Sequence, residues 1–345
     1  MKQKIYVAMS GGVDSSVAAA LARDSGYEVV GVFMKFWSPA EGDFCLWREE
    51  RADAMRVAAK LEIPLLTWDF AKEYERKVVS YMVDAYRSGI TPNPDVMCNK
   101  DIKFGLFFDR AISEGADMVA TGHYARIERN GHPRLLKAVD KNKDQSYFLY
   151  LLKRQHLERT IFPIGEYPKS QVRELARQYQ LPTSEKKDSQ GVCFIGPIHM
   201  KNFLKEHISP RKGLVVHKNG RVLGEHDGAY YYTIGQRHGL DLKNGSGPYY
   251  VVDKDVDKNV VVVGSETDLW SDSAQIESIH WIGEKPALPA ELSVKIRYRS
   301  EDRPAILDET GRLNFTDSVR AITPGQAAVF YRADVVLGGG TIIKL

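Results

Sequence analysis

Cysteine is scarce in this chain: three residues among 345. That excludes a disulfide scaffold and suits a reducing cytosol. Long apolar runs are missing too; the stretch 260–263 has the length of a strand, far short of a membrane span. No charge of one sign dominates. The net charge of +3 is too small to imply nucleic acid by itself, so local clusters must carry any such reading. Only Met1-Lys2-Gln3-Lys4 precedes the first strand, which leaves no room for a targeting peptide and predicts a cytoplasmic protein. Internal repeats and low-complexity segments are absent. Apolar residues make up 43% of the chain, enough at this length for two or three domains with cores of their own.

The most informative segment that is present is SGGVDSS at 10–16. It follows the apolar run 5–8 and leads into the alanine-rich stretch 17–22. Strand, glycine turn and helix N-terminus in succession make a site for phosphate oxygens. Gly11 and Gly12 permit close backbone approach, and Ser10, Ser15 and Ser16 add hydroxyl donors. No Gly-Lys-Ser/Thr follows, so the loop is not the kind that cradles terminal phosphates for kinase chemistry. It resembles the SGGxDS loop of the ATP pyrophosphatase superfamily, whose members bind pyrophosphate and adenylate a carbonyl-type oxygen. The loop alone does not choose a substrate among them.

Around it the first half alternates: strands over 28–36, 64–70 and 117–122, helices over 48–61, 74–87 and 170–180. That rhythm predicts a parallel sheet covered on both faces, with ligands at the carboxyl ends of its strands. After about residue 205, glycines and short β-branched runs take over (213–216, 230–234, 249–252, 259–263, 292–298, 327–331, 341–344). These predict two small β units divided near 268–272.

Two cysteines stand out. Cys98 follows Thr91-Pro92-Asn93-Pro94-Asp95, where two prolines predict an extended loop and a helix beginning at 99. A thiol near a helix N-terminus, with Lys100 and Lys103 close in sequence, tends toward a nucleophilic thiolate, and Asp95 can accept a proton or orient a substrate group. Cys193 sits between glycines, behind Lys186 and Lys187. A lone cysteine is more often a small buried hydrophobe, but both segments read as polar loops. No Cys-x-x-Cys occurs, and no metal site is assigned; Cys45, Cys98 and Cys193 together could still hold an iron–sulfur cluster with one open iron.

Over nearly its whole length the chain resembles the bacterial tRNA-specific 2-thiouridylase family. The matching strings are SGGVDSS, GVFMK (31–35), TPNPDVMCNKDIKFG (91–105), ATGHYAR (120–126), NKDQSYFLY (142–150), KKDSQGVCFIG (186–196), GEHDG (224–228), YYTIGQRHGL (231–240) and TPGQAAVFY (323–331). Phe36 and His238 depart from the family's usual Asn and Lys. The resemblance implies a multidomain α/β plus β chain. An ATP pyrophosphatase-type, Rossmann-like parallel-sheet domain would span 1–204 and carry both active cysteines. A small central β domain would span 205–272, and a tRNA-contacting β-barrel, like one in elongation factor Tu, 273–345.

It further implies the chemistry. Ala8, Met9, Ser10, Gly11, Gly12, Val13, Asp14, Ser15, Met34 and Gly122 would bind ATP, with Mg²⁺ bridging phosphates. Asn93, Pro94 and Asp95 would meet the target base, a wobble uridine. Cys193 would carry persulfide sulfur and Cys98 would resolve it, leaving a transient Cys98–Cys193 disulfide. Lys143, Asp144, Gln145, Arg297, Tyr298, His123 and Gln326 would contact tRNA. Implied partners are the tRNAs for lysine, glutamate and glutamine, and a cysteine desulfurase or sulfur relay; the chain would act as a monomer. Basic clusters at Lys141/Lys143, Lys186/Lys187, Arg211/Lys212, Arg237 and Lys295/Arg297/Arg299 would grip phosphates, the last as one face of a strand beside Tyr298. Two other readings stand beside this one: an adenylating ligase of the GMP synthetase type, which leaves the cysteines idle, and a non-catalytic, translation-factor-like RNA binder, which leaves the phosphate loop idle.

Overall fold

The computed structural model describes residues 2–38, 46–187, 200–240, 242 and 247–344. Its first unit is a parallel sheet in the order β3-β2-β1-β4-β7: β1 (Lys4–Ala8), β2 (Glu28–Lys35), β3 (Leu65–Asp69), β4 (Met118–Thr121) and β7 (Thr160–Ile161). Alternate residues of β1 feed two separate cores, because successive side chains of a strand point to opposite faces. Ile5 and Val7 pack with Val29, Phe33 and Ala120 under helix α1 (Val13–Asp24), whose Val17, Ala18, Ala19 and Ala20 are wholly buried. Tyr6 and Ala8 pack on the other face with Val30, Val32, Trp68 and Val119. Small alanines let α1 lie close to the sheet. The order reverses between β1 and β4, the switch point at which open α/β sheets place their ligands.

Between β4 and β7 the chain makes a hairpin, β5 (Ala125–Glu128) and β6 (Arg134–Lys137), which the sequence had not announced. It joins the C-terminal sheet through β6. The central unit is four-stranded, in the order β10-β11-β8-β9, from β8 (Gly213–His217), β9 (Val222–His226), β10 (Tyr250–Asp255) and β11 (Val260–Gly264). Here the expected strand at 230–234 is instead a short 3₁₀ turn, Ala229–Tyr231. Tyr230 and Tyr231 turn inward, and their hydroxyls donate to the carbonyls of Ser209 and Ile208.

Six strands close the C-terminal barrel: β12 (Trp270–Trp281), β13 (Ala290–Lys295), β14 (Arg303–Leu307), β15 (Arg312–Arg320), β16 (Ala327–Arg332) and β17 (Val335–Ile343). The circuit runs β12-β15-β14-β13-β16-β17 and back to β12. Leu292, Val294, Leu307, Leu313, Phe330 and Ile342 fill it. No helix among the described residues is long and apolar enough to cross a membrane.

The barrel is seated on the first unit by the loop Thr323–Gln326. Thr91 N–H donates to Pro324 O at 3.1 Å, and Gln326 Nε2 donates to the carbonyls of Thr91 and Pro92, each at 3.0 Å. Gly325 makes this approach possible. Its φ is +91°, and a Cβ there would stand 2.1 Å from Ile90 Cγ2 and 2.7 Å from Thr91 O. Gly325→Ala is therefore expected to destabilise the fold by about 2–4 kcal/mol. Urea unfolding checks it, and a wild-type midpoint would contradict the close seating.

Candidate active site

The phosphate loop begins where β1 ends. Gly12 caps α1 with no side-chain hydrogen bond, so the first backbone N–H groups of the helix face outward as an anion site. The serines lock the turn. Ser15 and Ser16 hydroxyls donate to Gly12 O at 3.1 and 2.7 Å, and Ser10 N–H donates to Ser15 Oγ at 3.1 Å. Ser16 is buried, which makes it an internal brace and not the phosphate donor its sequence position suggested; Ser10 is the exposed hydroxyl. Asp14 Oδ1 accepts from Tyr124 OH (2.8 Å) and Lys169 Nζ (2.7 Å). Lys186 Nζ donates to Gly11 O at 3.1 Å and to Asp53. Nothing local in the sequence singles out Lys169; only the fold brings it across 155 residues to the loop.

Ala8 pairs with Thr121 in register, which sets Gly122 beside the loop. A Cβ on Gly122 would lie 2.7 Å from Ser15 N, so only glycine allows β4 to end against the start of α1. Met9 is buried against Gly31, and Met34 lies half-buried near the end of β2. The ten residues expected to bind ATP thus cluster at the switch point.

Cys98 sits differently from the expectation. Asn93 caps a helix through Oδ1, accepting Val96 N–H at 3.3 Å, and Pro94 takes the first helical position. Proline is favoured there because its fixed φ suits a helix start. The helix therefore begins at Pro94, five residues before 99, and Cys98 falls inside it, in the apolar cluster with Tyr74, Ile102 and Phe107. Cys98 is 1% exposed, and that burial pushes its thiol up in pKa, against an opposing pull from Lys103. The expected reactive loop thiol is a sheltered one in this conformation. Asp95, in the first turn of that helix, pushes the thiol in the same direction as burial.

His123 follows Gly122 and is buried, its Nδ1 2.7 Å from Thr121 Oγ1 and its Nε2 3.4 Å from Lys103 Nζ. Burial, with Lys103 beside it, holds the imidazole pKa well below the usual range. One turn, Gly122-His123, thus touches the phosphate loop on one side and the Cys98 helix on the other.

The remaining expected contacts are found bracing loops. Asp144 is 4% exposed; its Oδ1 accepts from Ala138 and Ser146 N–H, and its Oδ2 pairs with Lys295 at 3.2 Å. Lys295 is thereby an internal ion and not a surface grip. Gln145 Oε1 accepts Tyr124 N–H at 2.9 Å. Lys143, one residue before Asp144, is half-buried in a turn. Strand β13 ends at Lys295, so Arg297, Tyr298 and Arg299 lie in a turn with Arg299 at φ +62° and share no strand face. Arg297 Nη2 donates to Ala321 O (2.6 Å), Thr323 Oγ1 (2.7 Å) and Ile234 O (3.4 Å). Tyr298 packs on Phe148 with ring centroids 4.6 Å apart. Cys193 and Cys45 lie outside the described residues, so the sulfur-carrier and iron–sulfur readings are both untouched by the geometry.

Comparison with known proteins agrees with this arrangement. Three family descriptions match in turn: a tRNA methyl transferase HUP domain over residues 3–197, a tRNA methyl transferase PRC-barrel domain over 201–265, and an aminomethyltransferase beta-barrel domain over 271–342. The tRNA-specific 2-thiouridylase MnmA of Bacillus subtilis (strain 168) is 46% identical, covering 98% of this chain and 94% of that protein. The protein of the same name from Alcanivorax borkumensis is 44% identical, over 98% and 97%. Among solved structures, the U34-tRNA thiolase NcsA from Methanococcus maripaludis matches at 19% identity and a TM-score of 0.37, over 59% of this chain and 64% of that one. That likeness is too slight to bear on function.

Arg297→Ala is expected to lower unfolding stability by about 2 kcal/mol, because three oxygens lose a charged donor. Arg297→Lys should recover little of it, since an ammonium cannot reproduce the guanidinium fork. Equal stability of all three proteins in urea would remove the arginine from the joint.

Proposed function

The chain belongs to the tRNA-specific 2-thiouridylase family of ATP-dependent tRNA-uridine 2-sulfurtransferases, and from that premise we propose that it converts the wobble uridine of tRNA anticodons to 2-thiouridine. The observation that carries the reading is the turn Gly122-His123, which sets an adenylating loop and a cysteine helix side by side.

The uracil 2-oxo group is a poor leaving group. Its oxygen attacks the α-phosphorus of ATP and pyrophosphate departs, held by the backbone N–H groups after Gly12 with Ser10 and Lys169 nearby. Preorganised donors of this kind stabilise charge as it develops. The hard oxygens of Asp14 and Ser10 suit Mg²⁺, which when bound neutralises phosphate charge. Asp95 accepts the uracil N3 proton, with Asn93 and Pro94 framing the base. The outer sulfur of a Cys193 persulfide attacks C2 and AMP leaves. The Cys98 thiolate then attacks the Cys193 sulfur; the S–S bond to the base breaks, its electron pair forms the thiocarbonyl as Asp95 returns the proton to N3, and a Cys98–Cys193 disulfide remains. An external thiol reductant resets it, and a cysteine desulfurase or sulfur relay reloads Cys193. Since Cys98 is covered in this conformation, tRNA binding has to uncover it.

A wobble base in a single-stranded loop can be turned outward at low cost, which suits a site this recessed. Lys143, Gln145 and Tyr298 are proposed to meet the tRNA directly, with His123, Asp144, Arg297 and Gln326 holding the loops that do so. Division of labour follows 1–204 for chemistry, 205–272 for joining and 273–345 for tRNA. The tRNAs for lysine, glutamate and glutamine are the proposed substrates of a cytoplasmic monomer.

The test supplies ATP, a persulfide donor and unmodified tRNA, then digests the product to nucleosides. Wild type is expected to yield 2-thiouridine. Cys98→Ser should load Cys193 with sulfur yet lose product at least about a hundredfold; Cys193→Ser should not load. Normal thiolation by either variant, or AMP release by the wild type without 2-thiouridine, would overturn the scheme.

A further inference from the structure

Two runs of π-helix meet at Cys98. The helix that carries it is π-helical over Cys98–Phe107, and Tyr74, in the same apolar cluster, immediately precedes a second run, Glu75–Val79. Such runs are rare and concentrate at functional sites. In an α-helix, residues five apart point roughly 140° away from each other. A π turn bonds each N–H to the carbonyl five residues back and so brings residue i+5 round toward the side of residue i. With Cys98 as residue i, that residue is Lys103.

Sequence alone left Lys100 and Lys103 as equal candidates for influencing the thiol. The register separates them: Lys100 is exposed and lines a cavity with Asn93, Met97 and Tyr81, whereas Lys103 is half-buried beside His123. Lys103 is also held from behind. An ammonium only donates, so His123 Nε2, 3.4 Å away, accepts; the imidazole proton then sits on Nδ1 and is donated to Thr121 Oγ1. A neutral imidazole in one fixed tautomer is a good seat for a cation and adds no competing charge.

We propose that Lys103, seated by His123 and turned toward the cysteine's side of the helix by the π register, is the positioning cation that stabilises the buried Cys98 thiolate. The other groups facing the sulfur are Tyr74, which favours the thiolate, and Asp95 and Asp101, which oppose it; Asp101 is itself 3.8 Å from the Lys77 ammonium. Burial opposes it most. Lys103 is the cation of that set. The inference rests on Cys98 acting as the resolving thiol, but its test does not.

Full-length protein carrying Cys45→Ser and Cys193→Ser leaves Cys98 as the sole cysteine, and its Cβ carbon-13 shift is followed against pH after selective cysteine labelling. Lys103→Met is expected to raise the midpoint by at least about one pH unit, a tenfold loss of ionisation. Lys103→Arg should restore most of the shift, because it returns the charge. Should Lys103→Met not fold, Lys103→Gln is read in its place. Superimposable curves for the parent and the uncharged variants would overturn the proposal, as would Lys103→Arg titrating like Lys103→Met. Neither ATP nor tRNA is present, so a failed sulfur-transfer scheme and a failed role for Lys103 are told apart.

Discussion

The two hydrogen bonds from Gln326 to the carbonyls of Thr91 and Pro92 are the joint on which the rest of this architecture turns. They tie the barrel to the loop that leads into the Cys98 helix. Tyr147 OH adds a brace by donating to Ala327 O at 2.9 Å. Seated in this way, the barrel lets Arg297 reach Ile234 of the central unit, and a cavity of ≈ 420 Å³ remains where the three units meet. Thr91, Thr233, Gln236, Arg297 and Gln326 are among the residues that wall it. Apolar clusters shared between units give the assembly its cohesion: one runs from Trp68 and Tyr74 to Val215 and Val261, another from Phe104 and Leu135 to Val329. Hydrogen bonds add only about 1 kcal/mol each, but their directionality fixes how the units face one another.

That joint also explains what could be read from the chain in advance. The phosphate loop was legible because strand, turn and helix start are consecutive, and the physics of an anion site is local there. The parallel sheet was legible from the alternation of strand and helix in the first half, and two β units from the change of texture near residue 205; the barrel followed only from the family resemblance. Cys98 was misplaced because Pro92 and Pro94 look alike on paper; one keeps the chain extended and the other begins a helix. Arg297-Tyr298-Arg299 was misread as a strand face because its alternation is sound, whereas the strand stops at Lys295 and the chain turns, with Arg299 at φ +62°. Asp144 and Gln326 carry the right residue types for RNA, yet their partners lie at Lys295 and at Thr91, far along the chain. The hairpin β5–β6 has four-residue strands and a barrel partner about two hundred residues away, so no periodicity could announce it.

In the proposed reaction, burial of the resolving cysteine has a physical logic. Sulfur that waits in solvent is open to stray oxidation, and a thiolate is the form at risk. Enclosing Cys98 among Tyr74, Ile102 and Phe107 holds it as a thiol, at the cost of the ionisation that the reaction needs. On the proposal made above, a cation placed within the same helix offsets part of that cost without opening the core to water. The proposed adenylation and sulfur-resolving steps would then be kept apart in space while sharing one turn, Gly122-His123.

In the proposed reaction the loop at Gly11 and Gly12 activates the base oxygen itself. Unmodified tRNA bearing oxygen-18 at the uracil 2-position tests it in a single turnover with ATP and persulfide. The heavy oxygen is expected to leave with the nucleotide, so that the AMP carries one oxygen-18 for each 2-thiouridine formed. AMP without the label, alongside thiolated tRNA, would mean that ATP activates something other than the base, and the account would fall.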